Sequence, residues 1–194
     1  KRIKLIMAYT NINKSSEHFN TKLWTGTGNN GNAISGVGFA PDLVWVKNRT
    51  NTYDHVLFDR VRGDNKHIES NNTSAEENEA NTLAFGSDGY SVGTNTLNEN
   101  NQSIVGWNWK ANGQGSSNTD GSINTTYTSV NTTAGFSISK YVGNDTSGAT
   151  VGHGLGVVPK MIIVKRLSGS AQNWVVYHQS LGNTDGLYLN TTDT

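Results

Sequence analysis

Five histidines, 15 acidic residues and 18 serines are the side chains that could do chemistry in this 194-residue chain. Their spacing argues against it. His18, His55, His67, His153 and His178 never form the His-x-x-x-His pair that places two imidazoles on one helix face. Glycoside hydrolysis needs two carboxylates flanking the scissile bond. The Glu-x-Asp-x-x-Glu spacing that would aim several acids from one strand into a cleft is absent, and Glu76, Glu77 and Glu79 cluster in a loop-like stretch. No Gly-x-Ser-x-Gly elbow is present, and no Ser-His-Asp set stands out among so many serines. Gly26-Thr-Gly-Asn-Asn-Gly31 fits the dinucleotide pattern in letters only, because no amphipathic helix follows it; a Gly/Asn hairpin loop is the expectation. Asn144–Ser147 and Asn183–Asp185 gather hard oxygen ligands, but each is glycine-flanked and reads as a turn rather than a calcium loop. The expectation is no enzyme, no cofactor and no metal.

Aromatic rings are the remaining means of holding a ligand. Exposed Trp or Tyr can stack on a sugar while Asn and Asp supply hydrogen bonds. Trp45 lies in the fully apolar run Leu43–Val46 and reads as core. Trp107 and Trp109 share a strand face, so at least one is expected inside. Trp24 and Tyr90 stand beside glycine-containing loops and are the candidates for glycan contact.

Composition narrows the class of protein that must position them. Asn (26), Thr (22) and Ser supply about a third of the chain, while formal net charge is zero. Charge-driven disorder and phosphate-driven nucleic-acid binding both lack their driving force. The absence of cysteine excludes disulfide scaffolds and zinc ribbons. No apolar run approaches the roughly 18 residues that span a bilayer, so no membrane insertion is expected. Lys1–Ile6 precedes a natural start at Met7 and reads as an upstream extension or an arm.

The apolar runs are short, alternate, and end in Gly, Asn, Asp or Ser, the mark of strands. They are Leu43–Val46, Val56–Phe58, Ile104–Trp109, Phe136–Val142, Met161–Val164 and Trp174–Tyr177, with Asp-Gly turns at residues 88, 120 and 185. Ser74–Glu77 has capping-box spacing but no apolar stripe, which suggests a surface loop with one helical turn. An all-β antiparallel sandwich follows.

Self-similarity organises this pattern. Lys22, Gly36, Gly38, Pro41 and Lys47 recur 118 residues later as Lys140, Gly154, Gly156, Pro159 and Lys165. After one inserted residue Val56-Leu-Phe58 matches Val175-Val-Tyr177, and Asn71-Asn-Thr73 matches Asn190-Thr-Thr192. The expected division is an N-terminal arm at 1–18, a first β-sandwich repeat at 19–118, a linker or bridging strand at 119–135, and a partial second β repeat at 136–194.

Phe19–Gly26, Gly36–Arg49, Leu57–Asp59 with Val61–Gly63, Phe85–Gly93, Trp107–Gly113, Ser117–Ile123, Asn131–Ile138 and Val151–Gly156 together resemble a repeated module of marine bacteriophage tail and tail-fibre proteins. The resemblance implies a concanavalin A-like or jelly-roll sandwich in a virion appendage, made in the bacterial cytoplasm. It further implies self-association, often trimeric in such fibres, contacts with other virion proteins, and attachment to host-surface glycan. A dedicated lectin-like carbohydrate-binding module is the alternative.

Three packing expectations come from the repeat. Leu43, Trp45, Met161 and Ile163 should be buried. The glycines at 36, 38, 154 and 156 should turn the chain into the following strand. Residues 136–194, as half a unit, should complete their sheet against the first unit, a neighbouring chain or a further stretch of polypeptide.

Overall fold

The computed structural model describes residues 12–93 and 96–192; most of the expected arm, including Lys1–Ile6, lies outside them. The chain is all-β. Its principal sheet has six antiparallel strands in the order β1 (Phe19–Thr25), β9 (Ser103–Trp109), β3 (Leu43–Asn48), β4 (Val56–Asp59), β5 (Lys66–Glu69) and β6 (Glu77–Asn78). A second sheet, β2 (Asn32–Ser35), β8 (Gly89–Val92) and β7 (Leu83–Phe85), packs over one face of it. Val44, Val46, Val56, Phe58 and Ile104 from the first sheet meet Ile34, Leu83, Tyr90 and Val92 from the second, and this layer is the main core. β-branched and aromatic side chains on alternate positions fill the gap between sheets, while their neighbours face outwards.

Strand register decides the parity, and it corrects the expectation for β3. Val46 pairs with Gly106 and Val44 with Asn108, on the covered face. Leu43 and Trp45 therefore point the other way, where they are half-buried in a second cluster with Leu57, Ile68, Leu167 and Trp174. Trp107 and Trp109 share that outer face: Trp107 meets Trp45 edge-on at 6.1 Å, and Trp109 lies 4.9 Å from Phe19 and 6.3 Å from Phe136. Gly26–Gly31 is not a hairpin. It carries the chain from β1 to β2 in the other sheet, wrapped around buried Asn98, which donates to Asn29 O and accepts from Thr27 N. Ser74–Glu77 contains no helical turn, because Glu77 and Asn78 extend the sheet along β5.

The expected linker carries β10 (Thr125–Asn131), paired with β11 (Phe136–Tyr141). The chain leading into it is latched to the sandwich just after β9: buried Asp42 accepts hydrogen bonds from Ala111 N at 2.6 Å and Gly113 N at 3.0 Å. Burial pushes the Asp42 carboxyl above the usual range, against the pull of the Ala111 N–H and the Arg60 guanidinium.

A third sheet holds β12 (Met161–Val164), β13 (Val175–His178) and β14 (Leu187–Tyr188). It follows the register of β3–β4–β5, with all four β3–β4 pairs and two of the three β4–β5 pairs matched. Leu43↔Asp59 and Val46↔Val56 become Met161↔His178 and Val164↔Val175, and Val56↔Glu69 becomes Val175↔Tyr188. Loop bonds recur as well: Lys47 Nζ reaches Tyr53 O at 2.8 Å, and Lys165 Nζ reaches Gln172 O at 3.0 Å. All four turn glycines have positive φ. The burial expected there fails, however. Met161 and Ile163 are 53% and 43% exposed, because among the described residues β12 has a neighbour on one edge only and no second layer covers the sheet.

Candidate functional site

The two aromatic candidates lie together, Tyr90 buried and Trp24 half-buried against the core. Tyr90 is 4% exposed, and Trp24 packs against the core with its ring edge-on to Tyr90 at 6.0 Å. The Trp24 indole N–H is spent on Leu97 O at 3.0 Å. Burial drives the Tyr90 phenol pKa far up, tempered by the Asn108 amide. A stacking platform needs a free ring face, so the expectation of exposed Trp24 and Tyr90 is corrected. Glycine beside an aromatic marked close packing here, not a rim.

The outer face of the six-stranded sheet offers a better-shaped site. Trp174 leaves the start of β13 and docks on this face, 4% exposed, with its indole N–H donating to Glu69 O at 2.8 Å. Nearby backbone bonds fasten the same joint: Glu76 N to Leu167 O at 2.9 Å and Gln172 N to Thr73 O at 3.3 Å. Between the two parts runs a groove of about 560 Å³, lined by Trp45, His55, Ser70 and Asn71 on one side and Leu189–Thr192 on the other. A neighbouring depression of about 610 Å³ follows the loop from Lys47 to Tyr53 and shares His55 and Asn71.

Two asparagines build the groove symmetrically. Asn71 Oδ1 accepts His55 N at 2.8 Å while its amide donates to Asp54. Asn190 Oδ1 accepts Trp174 N at 2.8 Å while its amide donates to Asn173. Both amides are thereby committed to the framework. The His55 imidazole is held below its ordinary pKa by burial and by the Lys47 ammonium, against the opposing charge of Asp54. A neutral imidazole offers one donor and one acceptor. Among the described residues the lining supplies an aromatic edge, neutral hydrogen-bonding groups and the His55 imidazole.

Charge is concentrated elsewhere. Arg62 is buried and donates through Nε to Asp59 Oδ2 and through Nη2 to Leu57 O at 2.9 Å, with Glu76 Oε2 3.5 Å from Nη1. This network ties the β4 turn to the strand below it. Among the described residues no three His, Asp or Glu side chains converge as metal ligands, and no helix is long and apolar enough to cross a membrane. Asn144 Oδ1 caps its own turn by accepting Thr146 N at 3.1 Å.

The groove residues were the ones least visible in sequence. Trp45 reads as core and His55 as a strand end. The available signal was the 119-residue match of Asn71 to Asn190, which marks two positions under the same structural demand.

A family model described as a domain of unknown function (DUF7483) matches residues 14–194. No curated protein and no solved structure matches the chain.

Proposed function

We propose that this chain, which belongs to the DUF7483 family, is a non-enzymatic structural module of a bacteriophage tail fibre or related appendage, displaying β-sandwich units for attachment to a host surface. The observation that carries the reading is the recurrence of the β3–β4–β5 register in β12–β13–β14. Repetition of one sheet unit along a chain is the economy of an extended structural protein, and oligomers of such chains gain avidity from weak single contacts. The jelly-roll description and the virion location come from the sequence resemblance and belong to the same proposal. Antibodies against the chain should label an appendage of purified phage particles. Labelling confined to soluble lysate would sink the reading.

A lectin-like role is the second reading, favoured by the groove beside Trp45 and His55. On a glycan array it requires saturable binding to one sugar class, lost in His55→Ala.

A further inference from the structure

The triplets β3–β4–β5 and β12–β13–β14 share a register but not an environment. Val44, Val46, Val56 and Phe58 are 0, 0, 7 and 0% exposed. Their counterparts Ile162, Val164 and Val175 are 43, 42 and 47% exposed, and the last counterpart is Tyr177. The residue types barely change, so the second face keeps the chemistry of a covered surface without a cover.

What covers the first face is known. Leu83, Tyr90, Val92 and Leu97 of the stretch Leu83–Trp109 lie over it, together with Ile34, Val37 and Phe39 of β2 and the turn that follows it. That stretch also ends in β9, which fills the edge of β3 through six residue pairs from Leu43↔Trp109 to Asn48↔Ile104. β12 pairs with β13 on one side, and among the described residues its other edge carries no strand. An apolar sheet with an open edge is costly in water and a template for strand addition.

We infer that β12–β13–β14 is an acceptor sheet for a polypeptide segment with the pattern of Leu83–Trp109. Its last strand adds antiparallel to the free edge of β12, and its hairpin lies over Ile162, Val164 and Val175. The register transfers directly: a small residue in the place of Gly106 faces Val164, and large rings in the places of Trp107 and Trp109 face Ile163 and Met161. Edge-to-edge pairing of two β12 strands would fill the edge but leave the apolar face bare, so a second copy joined that way is the poorer occupant. The inference rests on the repeat and is independent of the virion assignment.

The test adds a synthetic peptide of residues 80–111 to the full chain and follows methyl resonances. Saturable shifts are expected at Ile162, Val164, Val175 and Leu187, and none at Val44, Val46 or Ile104. A shorter peptide of residues 102–111, which supplies the edge strand without the cover, should bind at least tenfold more weakly. Val164→Lys should abolish both effects without moving the thermal midpoint, since residue 164 is exposed in the unliganded chain. The inference is overturned by silence of both peptides at millimolar concentration, by shifts centred on the first sheet, or by undiminished binding to Val164→Lys. Concentration-dependent dimerisation of the chain alone, lost in Val164→Lys, would assign the face to a second copy and overturn it too.

Discussion

The hydroxyl of Tyr90 stands where a side chain at residue 106 would begin. A Cβ built on Gly106 would lie 2.3 Å from Tyr90 Oη and 3.2 Å from Trp24 Cζ3. The glycine in the middle of β9 is therefore the socket for the ring pair that fills the sandwich. Gly106→Ala should cost about 1–3 kcal/mol in urea unfolding, the range for overpacking a filled core. Tyr90 Oη is buried with the Asn108 amide near it but no well-formed hydrogen bond, so Tyr90→Phe alone should be close to neutral. Combined with Gly106→Ala it should recover part of the loss. Additive losses in the double variant would disprove the socket.

Arg62→Met should be among the most damaging substitutions in the chain. It strands the carboxylate of Asp59, itself 5% exposed, and breaking one side of a buried pair costs about 3–5 kcal/mol. Replacing both partners, as Arg62→Met with Asp59→Leu, should be milder than the single change. Equilibrium denaturation of the three variants checks the order.

Gly38 and Gly156 form a matched pair with φ of 90° and 72°. Valine at either position meets a strained backbone worth about 1–3 kcal/mol. In Gly38→Val the loss should appear in the unfolding of the whole sandwich. In Gly156→Val it should stay local, raising amide exchange in residues 161–188 while strands β1–β9 keep their protection. Equal global destabilisation by both variants would mean that the third sheet folds as one unit with the sandwich.

Strand type was legible wherever apolar residues alternate: the six periodic runs all contain strands, including the β9 alternation of Ile104, Gly106 and Asn108 against Trp107 and Trp109. Facing was harder. In Leu43-Val-Trp-Val46 both parities are apolar, and only the register with β9 shows that the valines face the other sheet. β2, β5 and β7 hold three or four residues each, too few for period two to declare itself. The repeat also begins earlier than the first shared lysine suggests. Tyr9-Thr-Asn-Ile-Asn13 matches Tyr127-Thr-Ser-Val-Asn131 of β10 at the same offset, so the stretch expected to be an arm carries repeat sequence. Of the groove only the match of Asn71 to Asn190 was legible, because the joint depends on Trp174 crossing to Glu69, a contact between repeats that no period encodes.

Trp174→Ala should unfasten the third sheet from the outer face without unfolding the sandwich. Removing a buried tryptophan costs about 3–5 kcal/mol, here taken from the joint. Limited proteolysis should then cut between residues 142 and 174 and release a protected core that retains β1–β11.

His55 predicts a pH dependence of definite sign. Its folded pKa lies below the ordinary 6.5, chiefly through burial and then through Lys47. The unfolded chain therefore takes up the proton first as pH falls. This contribution to stability is complete above about 6.5 and is lost as pH drops through the folded value. Imidazole shifts should show His55 titrating below 6.5, and His55→Gln should flatten that part of the stability profile. Lys47→Met should raise the His55 pKa part of the way back.

The latch of Asp42 on Ala111 and Gly113 takes on a second meaning under tension. Phe19 opens β1 opposite Trp109, which closes β9, so a pull applied through the two outgoing chains loads this strand pair from one end. Strands loaded in that way peel, one hydrogen-bonded pair after another, at low force. Ahead of that zipper stand Asp42, holding the backbone amides of Ala111 and Gly113, and His18 O, accepting Lys110 N at 2.9 Å. A stretched string of such units would yield first at these clasps, and their few bonds, rather than the much larger core, would set its mechanical strength.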